Sequence, residues 1–187
     1  ENAGVSGMIF EDQLSPKKCA ACANRIELLG VEEAVGKIRA AVEARQNPDT
    51  IIIARTDEVD EDAAIARAKL YVEAGADLIQ PISRCFKDIG GLRRLREACG
   101  VPLSLQILGW LESDLSADDI KEVAGLACYP LVGLMSAAKV LQDNFSALAI
   151  DLGTKNLPQP KMSMDEFKSF IGFTEVEQQQ ERFLLTE

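Results

Sequence analysis

The feature that most constrains the fold is a regular alternation of short apolar runs with longer amphipathic stretches. Short apolar runs predict strands at 8–10, 51–54, 77–80, 102–108 and 126–132, and the β-branched run IIIA is typical of a strand buried on both faces. Apolar residues at three- and four-residue steps predict helices at 31–45, 60–74, 86–98, 116–124 and 135–149. From IIIA onwards the strands return about every 26 residues, which is the size of one βα unit.

This alternation indicates an α/β fold with a parallel sheet and right-handed crossovers. Two architectures satisfy it, a doubly wound layer and part of a (β/α)₈ TIM-type barrel. A complete barrel needs ~250 residues, so a barrel built from these five strands would lack about three units. The sequence lacks an initiator Met, and residues 1–4 are typical of a helix end. We therefore expect further sequence upstream.

The residues after Asp151 differ in composition from the βα repeat. LGTKNLPQPK carries two prolines and is typical of a linker. The following stretch, SMDEFKSFIGFTEVEQQQERFLL, predicts two short amphipathic helices interrupted near Gly172. We therefore expect a partial barrel domain over 1–150, and a linker with a helical extension over 151–187.

Charge and hydropathy exclude several classes of partner. The net charge is −10 and the basic residues are scattered, so the chain would repel a nucleic-acid backbone. No apolar run approaches the ~18 residues of a membrane span, and the first residues lack the order of a signal peptide. We expect a soluble, cytoplasmic protein that binds neither nucleic acid nor membrane.

The cysteine and histidine contents restrict the chemistry. Five cysteines, an odd number spread along the chain, do not form the framework of a small secreted domain, so reduced thiols are expected. The chain has no histidine, which excludes Ser-His-Asp and Cys-His machinery and every histidine-containing metal site. Acid–base work must therefore fall to Cys, Lys, Tyr or carboxylates.

A candidate site lies where the strands end. In both architectures ligands bind at the C-terminal ends of the parallel strands. The polar residues found there are Glu11, Asp12, Arg55, Thr56, Asp57, Gln80, Ser83, Arg84, Gln106 and Tyr129. Carboxylates such as Glu11 suit Mg²⁺, and Arg55 can hold a substrate carboxylate bidentately. The alternative is that these charged residues cap helices or pair with one another.

A thiol follows two ammonium groups in the loop after the first strand. Lys17 and Lys18 would lower the pKa of Cys19 and enrich its thiolate, which makes Cys19 a candidate acid–base group. Cys19 and Cys22 also form a CxxC, but zinc would need two further ligands and a redox pair would sit at a helix N-terminus. The remaining cysteines are expected to be small buried apolar residues: Cys85, Cys99 and Cys128.

Six segments together resemble the isocitrate lyase and phosphoenolpyruvate mutase superfamily, nearest its methylisocitrate lyase and oxaloacetate decarboxylase-like branches. They are EDQ-x₃-KKC at 11–19, EEAVGKIRAAVEAR at 32–45, IIIARTD at 51–57, EAGADLI at 73–79, VPL at 101–103 and YPL at 129–131. The likeness covers essentially the whole chain, in order and spacing. EDQ and PKKC, in place of the EDK and PK-x-NS of the phosphonomutase branch, favour C–C lyase chemistry.

The resemblance implies a (β/α)₈ barrel that forms homotetramers by exchanging C-terminal helices. It also implies Mg²⁺, or Mn²⁺, at an enolate-type intermediate formed when a C–C bond next to a carboxylate is cleaved. By the same resemblance, Glu11 supports the metal and Arg55 binds the substrate. Cys19 protonates the carbanion from a mobile loop, in which Lys17 and Lys18 are the basic pair.

The sequence also departs from the family pattern. Lyases usually continue the loop as KKCGH or KRCGH, where this chain has Ala20 and Ala21. The glutamate of a common PEA motif is Ile82 here, and a common asparagine is Gln106, the candidate substrate-binding amide. The family's Asp-x-Asp metal ligands belong to a strand before residue 1, so Glu11 would need that segment.

These observations lead to one main functional hypothesis and two alternatives. The main hypothesis is a Mg²⁺-dependent, methylisocitrate lyase-like enzyme that cleaves a C–C bond of a 2-hydroxy or 2-oxo di- or tricarboxylic acid. The first alternative is an oxaloacetate decarboxylase. The second is a non-catalytic family member or fragment that acts as a binding or assembly module. The expected partners are a small carboxylic acid and other copies of the chain.

Overall fold

A computed structural model of the chain describes residues 1–18 and 26–184. Its strands are β1 (Gly7–Glu11), β2 (Ile51–Thr56), β3 (Leu78–Pro81), β4 (Leu103–Gln106) and β5 (Ala124–Cys128). Its helices are α1 (Val31–Ala44), α2 (Glu61–Glu73), α3 (Ile89–Cys99), α4 (Trp110–Asp114), α5 (Ala117–Val123), α6 (Val132–Asp151), α7 (Met164–Phe170) and α8 (Phe173–Phe183). The predicted strands and helices are therefore present, and α4 is an additional short helix.

The sheet has five parallel strands in the order β1-β2-β3-β4-β5. Parallel neighbours require crossover connections, and at least one helix lies between each consecutive pair of strands. A doubly wound sheet reverses its strand order at a switch point, whereas each strand of a βα barrel pairs with the next one along the chain. The sequential order therefore decides between the two predicted architectures in favour of the barrel type.

The two faces of the sheet differ in what covers them. Side chains that alternate along the strands pack with α2 and α3 into the main core, which includes Ile52, Ala54, Ile79, Leu103, Leu105, Ala64, Ala68, Tyr71, Leu92 and Leu95. Because successive strand residues point to opposite faces, Arg55, Gln80 and Ser104 lie on the other side of the sheet. The core thus fixes which polar side chains share the face away from the helices.

Two details differ from the sequence-based expectations. β5 ends at Cys128, and the residues after it, with Pro130, turn into α6 instead of extending the strand to 132. Cys85 and Cys99 are buried as predicted, but Cys128 is exposed because β5 is an edge strand of the sheet. Burial raises the pKa of Cys85 to about 12 and that of Cys99 to about 11, so both thiols stay protonated at neutral pH.

Residues Val132–Glu187 belong to a second compact unit, separate from Glu1–Leu131. In it, the Ser163 hydroxyl and the Glu166 carboxylate form a capping box that starts α7. Gly172, with a left-handed φ of 73°, separates α7 from α8, which confirms the predicted interruption. The sequence placed a domain boundary near residue 150, and the domain organisation stays a prediction. In the described part of the chain no helix is both long and apolar enough to cross a membrane.

Two helical glycines provide a test of the packing between α3 and the core. A Cβ at Gly91 would come within 2.8 Å of Cδ1 of the buried Phe86 ring, whereas a Cβ at Gly36 would meet nothing within 4 Å. We expect Gly36→Ala to stabilise the protein by about 0.5–1 kcal/mol. Gly91→Ala should destabilise it, since overpacking costs about 1–3 kcal/mol. Urea unfolding of both variants measures the difference, and equal shifts would contradict the packing described here.

Candidate active site

The ends of β1 and β2 bring a carboxylate and a guanidinium together. Glu11 and Arg55 are register partners in the parallel pair, and Glu11 Oε2 lies 3.6 Å from Arg55 Nε. Arg55 is in turn the register partner of Gln80 on β3. Three predicted polar residues therefore occupy neighbouring strands at the C-terminal edge of the sheet.

Arg55 is held in place by Asp57. The Nε of Arg55 donates to Asp57 Oδ1 at 2.7 Å, and the Asp57 carboxylate is fully buried. This contact uses the Nε edge of the guanidinium, so it leaves the terminal Nη atoms available to a ligand carboxylate. A buried partner also reduces the conformational freedom that Arg55 would lose on binding.

The two lysines of the loop after β1 behave differently. Lys17 Nζ donates to Glu11 Oε2 at 2.7 Å, which places a second positive charge at the strand ends. Lys18 Nζ instead donates to Glu27 Oε1 at 3.2 Å, and both of these side chains are about half exposed. Cys19, the predicted acid–base group, lies outside the described residues. Of the basic pair, only Lys17 contacts Glu11.

Asp12 and Thr56, both considered for the site, belong to the helix side of the sheet. Asp12 is only 2% exposed, and its Oδ2 accepts from Thr56 Oγ1 at 2.8 Å, Tyr71 OH at 2.7 Å and Arg67 Nη1 at 3.3 Å. Its Oδ1 accepts from the backbone N–H of Asp57 at 2.9 Å. Burial, with the neighbouring Asp12 carboxylate, raises the pKa of Tyr71, so its hydroxyl remains a donor. Asp12 and Thr56 therefore pair with other residues of the chain, which is the alternative interpretation given in the sequence analysis for polar residues at strand ends.

An amide and a hydroxyl continue the polar face beyond Arg55. Ser104 Oγ donates to the buried Gln80 Oε1 at 2.9 Å, while Gln80 Nε2 has no hydrogen-bond partner within the described residues. Gln106 lies two residues after Ser104 at the end of β4 and is half-buried. Tyr129, by contrast, is exposed. The polar face therefore extends over β2, β3 and β4.

A cleft lies beside the buried Asp57. It has a volume of about 360 Å³, within the range of small-molecule sites, and its polar lining comes from Asp57, Glu58, Arg67 and Arg84. A larger cavity of about 440 Å³ lies around Glu1, Ser6 and Asn47, where β1 and β2 begin. Of the two, the smaller cleft is the one at the C-terminal strand ends, and Asp57, the partner of Arg55, is the site residue that lines it.

The described residues supply only part of a metal site. Among residues 1–18 and 26–184, no group of three or more carboxylates or thiols is arranged to hold a metal ion. Glu11 fits the role of one oxygen ligand, because Mg²⁺ takes one or two protein carboxylates and completes its shell with water and substrate oxygens. A cation at Glu11 would compete with the Lys17 ammonium for Oε2.

The fold and the site together define a class. Strands in sequential parallel order, with charged side chains gathered at their C-terminal ends, indicate a chain of the βα-barrel type with a candidate site at that end. The family model for phosphoenolpyruvate phosphomutase matches residues 1–129. The chain therefore belongs to the phosphoenolpyruvate mutase and isocitrate lyase superfamily, as its motifs predicted.

Three curated relatives are similar to most of the chain. A 2,3-dimethylmalate lyase of Eubacterium barkeri is 33% identical over 94% of this chain and 62% of its own length. A 2-methylisocitrate lyase of Escherichia coli K12 is 30% identical over 94% and 60%, respectively. An oxaloacetate decarboxylase of Pseudomonas aeruginosa is 34% identical over 91% and 60%. The chain spans about three fifths of the length of these relatives.

Solved structures agree on the fold. A phosphoenolpyruvate phosphomutase of Streptomyces platensis subsp. rosaceus matches with a TM-score of 0.85 and 25% identity, over 98% of this chain and 66% of that one. A phosphonopyruvate hydrolase in complex with oxalate and Mg²⁺ matches with a TM-score of 0.81 and 27% identity, over 98% and 65%. The predicted α/β fold, with about five βα units of a barrel, is confirmed.

Sequence reasoning missed the supporting residues of the site. Asp57 is one of many polar residues at strand ends, and Gln13 enters the sequence analysis only as part of the EDQ motif, with no structural role. Each lies two positions after a predicted site residue, Arg55 and Glu11 respectively. Since strand side chains alternate with a period of two, this spacing was the signal that would have placed them on the same face.

The two tyrosines of the chain test the structural role of Asp12. Tyr71→Phe removes one hydrogen bond to a buried carboxylate, so we expect the free energy of unfolding to fall by about 1.5–3 kcal/mol. Tyr129→Phe removes the same atom from an exposed side chain and should change it by less than about 0.5 kcal/mol. Denaturant unfolding measures both, and similar losses would contradict a buried network centred on Asp12.

Proposed function

We propose that the protein is a Mg²⁺-dependent enzyme that cleaves a C–C bond of a 2-hydroxy or 2-oxo di- or tricarboxylic acid. The observation that carries this proposal is the buried Asp57 carboxylate that orients Arg55 beside Glu11 at the ends of adjacent parallel strands. A prearranged guanidinium suits a substrate carboxylate, and a nearby carboxylate suits a hard cation. The lyase names of two relatives support the reaction class.

Arg55 and Lys17 would bind and orient the substrate. The Nη atoms of Arg55 can donate two parallel hydrogen bonds to one carboxylate, which fixes the plane of that carboxylate as well as its position. Lys17 adds a compact positive charge at the same edge, close to where negative charge develops as the bond breaks. We propose Gln106, at the end of β4, as an amide contact to the substrate.

The proposed metal role is limited to charge stabilisation. Glu11 would contribute one oxygen ligand, and Mg²⁺ or Mn²⁺, when bound, supplies electrostatic stabilisation of negative charge on the substrate oxygens. The oxalate and Mg²⁺ complex of the structurally similar phosphonopyruvate hydrolase supports this choice of ion. Glu11 Oε2, which accepts from the Lys17 ammonium here, would be the oxygen that holds the ion.

Cleavage leaves an electron pair on carbon, which must be protonated before the product departs. Cys19 is the proposed donor, because it follows Lys18 directly and Lys17 is already at the site. Two ammonium groups favour the thiolate that remains after the proton is given up. Lys18 pairs with Glu27, so its share in this effect depends on that exposed ion pair.

Oxaloacetate decarboxylation is the second candidate. The side chain of Ile82 is buried and apolar where the family resemblance expects a glutamate, so one polar contact to a large substrate is missing. A smaller dicarboxylate would need fewer contacts, and the Pseudomonas decarboxylase is as similar to the chain as the lyases are. The third alternative, a non-catalytic binding or assembly module, predicts no turnover at all.

Assays of the full-length protein with Mg²⁺ distinguish these candidates. We expect release of the 2-oxo acid product from 2-methylisocitrate or 2,3-dimethylmalate, at a rate above that from oxaloacetate. A preference for oxaloacetate would establish the decarboxylase instead. Absence of turnover, together with no calorimetric binding of oxalate and Mg²⁺, would leave only the binding or assembly module.

Replacement of the proposed proton donor separates the two reactions further. General acid–base groups contribute ~10²- to 10⁴-fold in rate, so Cys19→Ser should lower kcat for C–C cleavage on that scale. Cys128→Ser, at an exposed thiol on β5, serves as the matched control and should retain wild-type kcat. An unchanged rate in Cys19→Ser would remove this thiol from the mechanism.

A further inference from the structure

Gln13 lies at the closed base of the loop that carries Lys17, Lys18 and Cys19. It forms an antiparallel bridge with Leu28, on the returning side of the loop. Two backbone hydrogen bonds flank the bridge, from Leu14 N to Glu27 O and from Leu29 N to Asp12 O, each 2.8 Å long. The two ends of the loop are thus paired with each other, and Gln13 is at the centre of that pairing.

Both the Nε2 and the Oε1 atoms of the Gln13 side chain form hydrogen bonds. Its Nε2 donates to Asp57 Oδ2 at 2.7 Å, and its Oε1 accepts from the backbone N–H of Lys18. The partners fix the orientation of the amide, because a carboxylate only accepts and a backbone N–H only donates. Gln13 is 7% exposed, and its bond to Asp57 is buried, whereas its bond to the backbone of the exposed Lys18 is only partly buried.

These bonds continue to the proposed substrate-binding residue. The other oxygen of Asp57 accepts from Arg55 Nε at 2.7 Å. An unbroken series of hydrogen bonds, the Arg55–Asp57–Gln13–Lys18 relay, therefore connects the guanidinium with the backbone of the loop. In a buried, low-dielectric setting such a series is stronger than the same bonds in water, and an unmade bond costs more.

We propose that Gln13 is a positioning residue that couples the orientation of Arg55 to the placement of Lys17 and Lys18. The catalytic consequence rests on the function proposed above, whereas the relay itself does not. Gln13 has no contact with reacting atoms in this scheme. It acts by holding the backbone of Lys18, next to Lys17, so that a substrate carboxylate on Arg55 and the Lys17 ammonium keep a fixed relation.

The chemistry of glutamine suits this position better than that of other side chains. Lysine can donate to Asp57 but cannot accept the N–H of Lys18, and glutamate can accept that N–H but would repel Asp57. Asparagine offers both functions on a side chain one methylene shorter. Methionine has a similar length and offers neither strong bond. These differences allow each half of the relay to be removed separately.

Hydrogen–deuterium exchange of the full-length protein tests the relay without reference to turnover. We compare wild type, Gln13→Lys and Gln13→Met, with Gln46→Met as a control at an exposed glutamine. Exchange at the Lys18 amide, followed in peptides covering Leu14–Lys18, should be at least about fivefold faster in both Gln13 variants, as expected for one lost hydrogen bond. The control should match wild type.

Kinetics then test the positioning role. In Gln13→Lys the contact to Asp57 is retained, so KM should change by less than about twofold while kcat falls by about 10- to 100-fold. Gln13→Met should raise KM as well, because Asp57 loses a partner. Unchanged Lys18 exchange in both variants would overturn the relay, and faster exchange with wild-type kcat would overturn the positioning role. Wild type without turnover would defeat the proposed function but leave the exchange result to decide the relay.

Discussion

The buried carboxylate of Asp12 is the interaction on which the geometry of the site depends. It joins the end of β1 to Thr56 and the Asp57 backbone of β2, and to Tyr71 and Arg67 on α2. A buried ionised group is tolerated only when it is paired and hydrogen-bonded, and removal of one partner is costly. This requirement orients the Asp12 side chain toward the helices. The side chains of the adjacent residues, Glu11 and Gln13, therefore point to the opposite face of the sheet.

Because strand side chains alternate between the two faces of the sheet, the orientation of Asp12 determines which side chains form the site. With Asp12 facing α2, Glu11 and Gln13 face the opposite side, where Arg55 and Asp57 lie on the adjacent strand. The described site then contains two carboxylates, Glu11 and Asp57, and two cationic groups, Arg55 and Lys17. Opposite charges therefore lie next to one another at the ends of β1 and β2, and each carboxylate has a cationic partner.

Much of this architecture could be predicted from the sequence. Short apolar runs predict buried strands, and apolar residues spaced by three or four positions predict helices with one buried face. The period alone did not separate a barrel from a doubly wound sheet, since both repeat a βα unit, and the strand order was needed to decide. The sequence also could not tell Asp12 from Glu11 as a site residue, because that depends on which face α2 covers. The structural role of Gln13 could not be predicted because it comes from a contact with Asp57, 44 residues away in the chain.

The C-terminal helices bear on the proposed homo-oligomer. Within this chain none of the described residues of α6, α7 and α8 is buried, and large apolar side chains such as Phe145, Ile150 and Phe170 are exposed. Short helices are marginal in water unless an apolar face is packed against another surface. Extended apolar surface of this kind marks an interaction site more often than a free face. We propose that other copies of the chain cover these apolar side chains, as the family resemblance implies.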